Sequence, residues 1–250
     1  MSATASPLDQ LVRKFATRAA LTDADEAAVR ALPHVVRSYH SATYVIREGE
    51  RPQRYCDFIQ DGFSFHQKLT AAGERQIVAI NLPGDFIDLQ YMFLSVADHN
   101  VQALTNLDVV GVDREALQQL ALAHPNVGKA MWVDALVEAS IGREWVLNVG
   151  RRTARARITH ILCEVFLRMK AAGLCIDDRF ELPLTQEQLA DATGMTTVHV
   201  NRTLKSLAVD GIIHRDKRYV SFSDWKTVSA IGDFSALYLH LDQVHRSRAG

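Results

Sequence analysis

The sequence predicts an α+β chain in which a β-rich N-terminal domain, a long helix and a C-terminal winged helix-turn-helix follow one another. Three observations carry that expectation. The first is Thr185–Arg202, TQEQLADATGMTTVHVNR, which reads as two short helices around a tight turn. The second is a series of short β-prone runs between Val35 and Asp113, separated by turn residues. The third is a helical period from Pro125 to about Val149. A chain of 250 residues is long enough for two cores of this kind.

Taken in order, residues 8–32 look helical, with Leu8, Leu11, Val12 and Phe15 apolar, up to the break at Leu32-Pro33. Strands are then expected at Thr43–Ile46, Tyr55–Gln60, Gly62–Leu69, Gln76–Leu82, Val101–Thr105 and Asp108–Val112. The turns between them include Arg47–Glu50, Asp61-Gly62, Ala72–Glu74, Leu82–Asp85 and Asp98–Asn100, a spacing that fits a small all-β sandwich or barrel. In the helix that follows, Ala130, Val133, Val137, Ile141 and Trp145 recur by threes and fours. Such a stripe is either a face buried on its own domain or a two-stranded seam, and Val133, Val137, Ile141 and Trp145 are the dimerisation candidates. Gly150 is expected to break this helix as a hinge, and Thr153–Lys170 opens the next domain with Ile158, Ile161, Leu162, Val165, Phe166 and Met169 inside.

Thr185 and Gln188 have the spacing of a capping box, and Gly194 supplies a positive-φ exit from the first short helix. Thr196 caps the second, whose Val200, Leu204 and Leu207 share one side. Val198, Asn201, Arg202 and Lys205 share the other, a surface suited to the DNA major groove. After Gly211, two short strands around Arg215-Asp216-Lys217-Arg218 read as a basic wing, and Asp224 caps a last short helix. The expected boundaries are therefore 1–125 (sensory β-rich domain with its N-terminal helix), 126–150 (dimerisation helix), 151–232 (winged helix-turn-helix) and 233–250 (tail).

Net charge is −1 but uneven: residues 1–150 carry 13 Lys+Arg against 18 Asp+Glu, and residues 151–250 carry 15 against 11. A basic C-terminal part on an acidic N-terminal part fits a nucleic-acid reader joined to a sensor. No run of ~18 apolar residues predicts a membrane span, and the N-terminus lacks a signal-peptide core. Three unclustered cysteines, Cys56, Cys163 and Cys175, make no disulfide framework, so a reducing cytoplasm is the expected setting. No nucleophile elbow, phosphate loop or metal-ligand cluster is legible, so neither an enzyme nor a metal site is expected.

With Arg47-Glu-Gly-Glu50, Leu82-Pro-Gly-Asp-Phe-Ile87 and Leu184–Arg202 plus its wing, residues 30–232 resemble the Crp/Fnr family of bacterial transcription regulators. The resemblance implies a cyclic-nucleotide-binding-like β-roll and a homodimer on an inverted repeat of double-stranded DNA. RNA polymerase is the further partner it implies. Arg202 matches the family's arginine and is the candidate for bidentate guanine recognition, with Thr197, Val198 and Asn201 reading the remaining bases. Thr185, Gln186, Thr196, Lys205, Arg215, Lys217 and Arg218 are phosphate candidates.

The sensor departs from the family's cyclic-AMP pattern. Leu89 stands where a ribose-binding Glu belongs, and His99-Asn100 where an Arg-Ser pair holds the cyclic phosphate. A cyclic phosphate needs fixed positive charge or well-placed donors, so these residues argue against cyclic AMP. The effector-pocket candidates are Arg75, Asp88, Leu89, His99 and Asn100, for an unidentified effector if DNA binding is not constitutive. Three cysteines cannot supply four ligands to the iron–sulfur cluster of the oxygen-sensing branch. No cofactor is expected. Haem stays open only through axial-ligand chemistry at His34, His40, His66 or His99, and Cys56 reads as a buried strand thiol rather than a redox switch. The competing reading is a dimeric small-molecule sensor or protein-interaction module that has lost DNA binding; Arg202, Lys205 and the basic wing argue against it.

Overall fold

A capping box at Thr22 divides the N-terminal helical stretch into α1 (Asp9–Arg18) and α2 (Asp23–Arg30). Thr22 accepts from the Asp25 backbone while Asp25 returns a bond to the Thr22 N–H, so helix formation restarts there. The computed structural model describes residues 6–51 and 53–241. These form two units, residues 6–66 with 80–139 and 240–241, and residues 67–79 with 140–239.

Seven strands follow: β1 (His34–Tyr39), β2 (Tyr44–Ile46), β3 (Tyr55–Asp61), β4 (Ser64–Leu69), β5 (Arg75–Asn81), β6 (Asn100–Ala103) and β7 (Leu107–Asp113). They make a three-stranded sheet ordered β1-β7-β3 and a four-stranded sheet ordered β2-β6-β4-β5. The sequence reading omits β1. As an edge strand it alternates between half-buried and exposed, and its polar His34, Arg37 and Ser38 give little apolar signal. The central β7 is buried on both faces. Val110 and Val112 join a core with Leu11, Phe15, Phe58 and Phe86, while Leu107 and Val109 join a second with Val45, Ile59 and Ile87. Gly62 turns β3 into β4 at φ +84°, where an added Cβ would lie 2.1 Å from the Asn106 carbonyl oxygen.

A further unanticipated helix, α3 (Arg114–Ala123), is capped by the Asp113 carboxylate and ends at His124. Pro125 then starts α4 (Pro125–Arg151), where its missing N–H costs nothing. Its 27 residues span ~40 Å. The expected dimer seam faces inward. Val137 and Trp145 are each 4% exposed within the single chain, and Val133 and Ile141 are half-buried. The outward apolar side chains are Trp132, Leu136 and Val146, at 66%, 62% and 71% exposure. Gly150 does not break the helix, which continues to Arg151. The break comes at Thr153, whose hydroxyl caps α5 (Ala154–Ala171) by accepting from the Ala156 N–H.

In the second unit α5 is the hub. Ile158, Ile161, Leu162, Val165, Phe166 and Met169 are all buried. Around it stand β8 (Phe180–Glu181), α6 (Gln186–Thr193), α7 (Thr197–Val209), β9 (Ile213–Asp216), β10 (Tyr219–Phe222) and α8 (Trp225–Ile231). Buried Glu164 receives Trp145 Nε1 at 3.1 Å, the Tyr238 hydroxyl at 2.8 Å and Arg168 at 3.3 Å. Burial raises the Glu164 pKa, and these donors oppose the rise. Tyr238 lies in the short 3-10 turn Ala236–Leu239, and Phe234 packs edge-on against Trp225. Residues 234–239 thus belong to the C-terminal domain rather than to a separate tail. The rest of the expected tail, 242–250, lies outside the described residues.

Candidate nucleic-acid interface and sensor pocket

Local chemistry sets the two-helix element. The Thr185 hydroxyl accepts from the Gln188 N–H at 3.2 Å and Gln188 Oε1 accepts from the Thr185 N–H at 2.9 Å, starting α6. Gly194 closes it at φ 63°, ψ 40°, a left-handed conformation that glycine adopts without Cβ strain. The Thr196 hydroxyl then accepts from the His199 N–H at 3.3 Å and starts α7. Both hydroxyls use lone pairs in these caps, so their protons remain free to donate to a phosphate oxygen.

Val200, Leu204 and Leu207 are buried, which fixes the rotation of α7 and turns Thr197, Val198, Arg202 and Lys205 outward. Val198 is 61% exposed, an apolar β-branched side chain among polar ones. Asn201 is placed differently. Its Nδ2 donates to Gln186 Oε1 at 2.8 Å, so a base-reading candidate and a phosphate candidate hold each other. That bond takes one amide hydrogen of Asn201 and leaves its Oδ1 and the second amide hydrogen for other partners.

Three strands, ordered β8-β10-β9, build the wing. Its tip turns at Lys217, at φ 54°. Arg215 and Lys217 are exposed without an ion pair among the described residues, whereas Arg218 pairs with Glu181 at 3.0 Å. Arg179 pairs with Asp216 at 3.2 Å and lies over the Tyr219 ring at 5.4 Å. This third strand escapes sequence reading because two residues show no alternation to recognise.

In the β-rich unit a narrow recess is lined by Glu50, Tyr55, Asp57, Asp88 and Tyr91. Asp88 Oδ1 accepts from the Asp57 N–H at 2.7 Å. Burial first, then the neighbouring Asp57 charge, pushes the Asp88 pKa up to about 8. Asp57 is also raised by burial, against an ion pair with Arg37. Leu89 is buried and Asn100 Oδ1 accepts from the Glu48 N–H at 3.0 Å. His99 meets Asp98 at 2.7 Å and stacks on His66 with ring centroids 4.4 Å apart. That spacing admits no porphyrin between the two rings.

Arg75 does not line the recess. Its guanidinium meets Asp191 of α6 at 2.6 Å. The arginine of the cyclic-phosphate pattern is therefore not supplied by Arg75 or by His99-Asn100, and the recess holds Arg51 together with the buried Asp57–Asp88 pair. These residues do not fit a cyclic nucleotide held by a ribose-binding carboxylate and a phosphate-binding arginine. Burial pushes the Cys56 thiol well above its ordinary pKa and Cys163 up to about 12, so neither is a ready thiolate. Among the described residues no helix is long and apolar enough to cross a membrane.

Residues 36–124 match the cyclic nucleotide-binding domain family and residues 156–231 the Crp-like helix-turn-helix domain. The chain is 31% identical to the transcriptional activator protein FnrL of Cereibacter sphaeroides over 85% of its own length and 87% of the relative's. It is 26% identical to the nitrogen fixation regulation protein FixK of Bradyrhizobium diazoefficiens, over 86% and 90%. The solved structure of FixK2 from Bradyrhizobium japonicum superposes with a TM-score of 0.74 at 25% identity, covering 82% of this chain and all of that one.

Proposed function

Because the chain belongs to the Crp/Fnr family of DNA-binding transcription regulators, we propose that it binds an inverted-repeat operator as a homodimer and has no catalytic step of its own. The observation that carries this reading is the bare face of α7, where Thr197, Val198, Arg202 and Lys205 project beside a wing with two unpaired cations. Arg202 is the guanine reader, Val198 a thymine-methyl contact, and Thr197 and Asn201 complete the half-site. Thr185, Gln186, Thr196, Lys205, Arg215, Lys217 and Arg218 contact phosphates. The protein acts in the cytoplasm, and RNA polymerase is its partner where the bound dimer activates.

Dimerisation runs along α4 through Trp132, Leu136 and Val146, with exposed Ala139 between them at heptad spacing. Cyclic AMP is not the effector, because Leu89 offers no hydrogen bond to a ribose and His99-Asn100 stands where an arginine and a serine would hold the cyclic phosphate. The test is a binding-site selection on random duplexes with wild type and Arg202→Ala. The wild type should recover an inverted repeat, and the variant should lose guanine preference at one position per half-site. One bidentate contact contributes ~1–3 kcal/mol per half-site. Recovery of the same sequence by the variant removes Arg202 from base reading, and recovery of none by the wild type removes the reading itself.

A further inference from the structure

Two carboxamides meet across the helix-turn-helix. Asn201 Nδ2 on α7 donates to Gln186 Oε1 on α6 at 2.8 Å. Among the described residues it is the only side-chain hydrogen bond of either residue, and both are half-buried. The Thr185 capping box starts α6 immediately before Gln186 and so fixes where that side chain leaves the helix. Burial of Val200, Leu204 and Leu207 fixes the rotation of α7 and with it the position of Asn201. The inner sides of the two helices already carry buried Leu189, Ala190, Val200 and Leu204. The amide pair lies outside that apolar contact, at the edge of the face that carries Val198, Arg202 and Lys205.

The direction of the bond decides which base edge Asn201 matches. A free carboxamide in the major groove can offer one donor with one acceptor, or both of its amide hydrogens. The first arrangement is complementary to adenine, whose N6 donates and whose N7 accepts; the second can reach guanine, whose N7 and O6 both accept. With one amide hydrogen held by Gln186, the second arrangement is closed. What remains is Oδ1 and a single hydrogen, which fits adenine and sets Oδ1 against O6 of a guanine, acceptor to acceptor. Cytosine N4 or thymine O4 satisfies only one of the two groups.

We propose that Gln186 is a positioning residue that restricts Asn201 to adenine, so that each half-site carries an A·T pair with its adenine toward Asn201. The inference rests on the reading of α7 as the base-reading helix, and it places one determinant of base preference on α6, outside that helix. Gln186 keeps both of its own amide hydrogens, so the phosphate contact assigned to it and its hold on Asn201 are compatible.

The experiment is binding-site selection on random duplexes with the full-length wild type, Asn201→Ala, Gln186→Leu and Gln186→Glu, followed by competition between duplexes that differ at one base pair. Asn201→Ala locates the position, as the base pair whose preference it abolishes. There the wild type should favour adenine over guanine by ~5-fold or more. Gln186→Leu frees the second amide hydrogen and should bring the two bases to within ~2-fold, with the guanine preference due to Arg202 retained. Gln186→Glu still accepts from Asn201 and should keep the adenine preference, while overall affinity falls because its phosphate donors are gone. A hydrogen bond that served only to hold α6 against α7 would leave base preference unmoved in all three Gln186 forms. Circular dichroism shows whether the variants fold; if Gln186→Leu does not, the wild-type base and Gln186→Glu decide. Guanine, a pyrimidine or no preference at the Asn201 position in the wild type overturns the proposal, as does an undiminished adenine preference in folded Gln186→Leu. An inverted repeat whose guanine depends on Arg202 but which lacks that adenine overturns this inference alone. Recovery of no repeat by the wild type removes the operator reading with it.

Discussion

Leu136→Glu should dissociate the dimer while leaving each chain folded. Leu136 is 62% exposed in the single chain, on the same flank of α4 as Trp132 and Val146. Fully burying a leucine stabilises by roughly 1.5–3 kcal/mol, so covering the exposed part is worth about 1–2 kcal/mol per chain. A two-fold axis repeats the contact in both protomers, giving about 2–4 kcal/mol before any cost of burying the new carboxylate. At 1.4 kcal/mol per tenfold, dimerisation should weaken roughly 30- to 1,000-fold. Val137, one residue on, is 4% exposed, and Val137→Glu should instead unfold the chain by placing an unpaired charge in the core. Sedimentation over a concentration series reads the association, and circular dichroism reads the fold. A wild-type dimer constant in Leu136→Glu, together with a folded but monomeric Val137→Glu, would return the seam to the inward stripe and refute the reasoning.

Lys217→Ala at the exposed wing tip should weaken operator binding on all sequences and lower the salt slope by about one per chain, with a smaller change for Arg218→Ala because Glu181 already holds that guanidinium. A changed base preference with an unchanged slope would contradict the wing assignment. Calorimetry with millimolar cyclic AMP should show little heat. Missing charge-assisted contacts at both ends of the nucleotide cost at least ~3 kcal/mol, more than a hundredfold, and micromolar affinity would overturn that conclusion. The Asp88 pKa of about 8 lies above its ordinary 3.8, so its contribution to stability is complete below pH 4 and is lost as pH rises toward 8. Asp88→Asn keeps an acceptor for the Asp57 N–H. It should therefore gain stability relative to wild type between pH 5 and 8.5, by at least about 1 kcal/mol in urea unfolding. A relative loss over that range would mean that Asp88 is ionised and paired.

What the sequence determined by itself is the local chemistry. The Thr185–Gln188 capping box, the left-handed Gly194 and the Thr196 cap depend on residues three or four apart, so they are written in consecutive letters. The buried side of α7 and the short strands of the β-rich domain are legible because periods of 3.6 and 2 reveal which side chains turn inward. Thr22 carries its own capping box, yet the reading of residues 8–32 as one helical stretch passed over it, and the structure divides the stretch there. Tertiary structure decided which body does the burying. The stripe through Val137 and Trp145 has the period of a seam, yet Trp145 spends its indole N–H on Glu164 of its own chain. A period marks an apolar face without naming what covers it. The same holds for Asn201 against Gln186, Arg75 against Asp191, and His66 against His99. Each partner comes from a separate element, and only the closing of the chain brings the two within hydrogen-bonding or stacking distance.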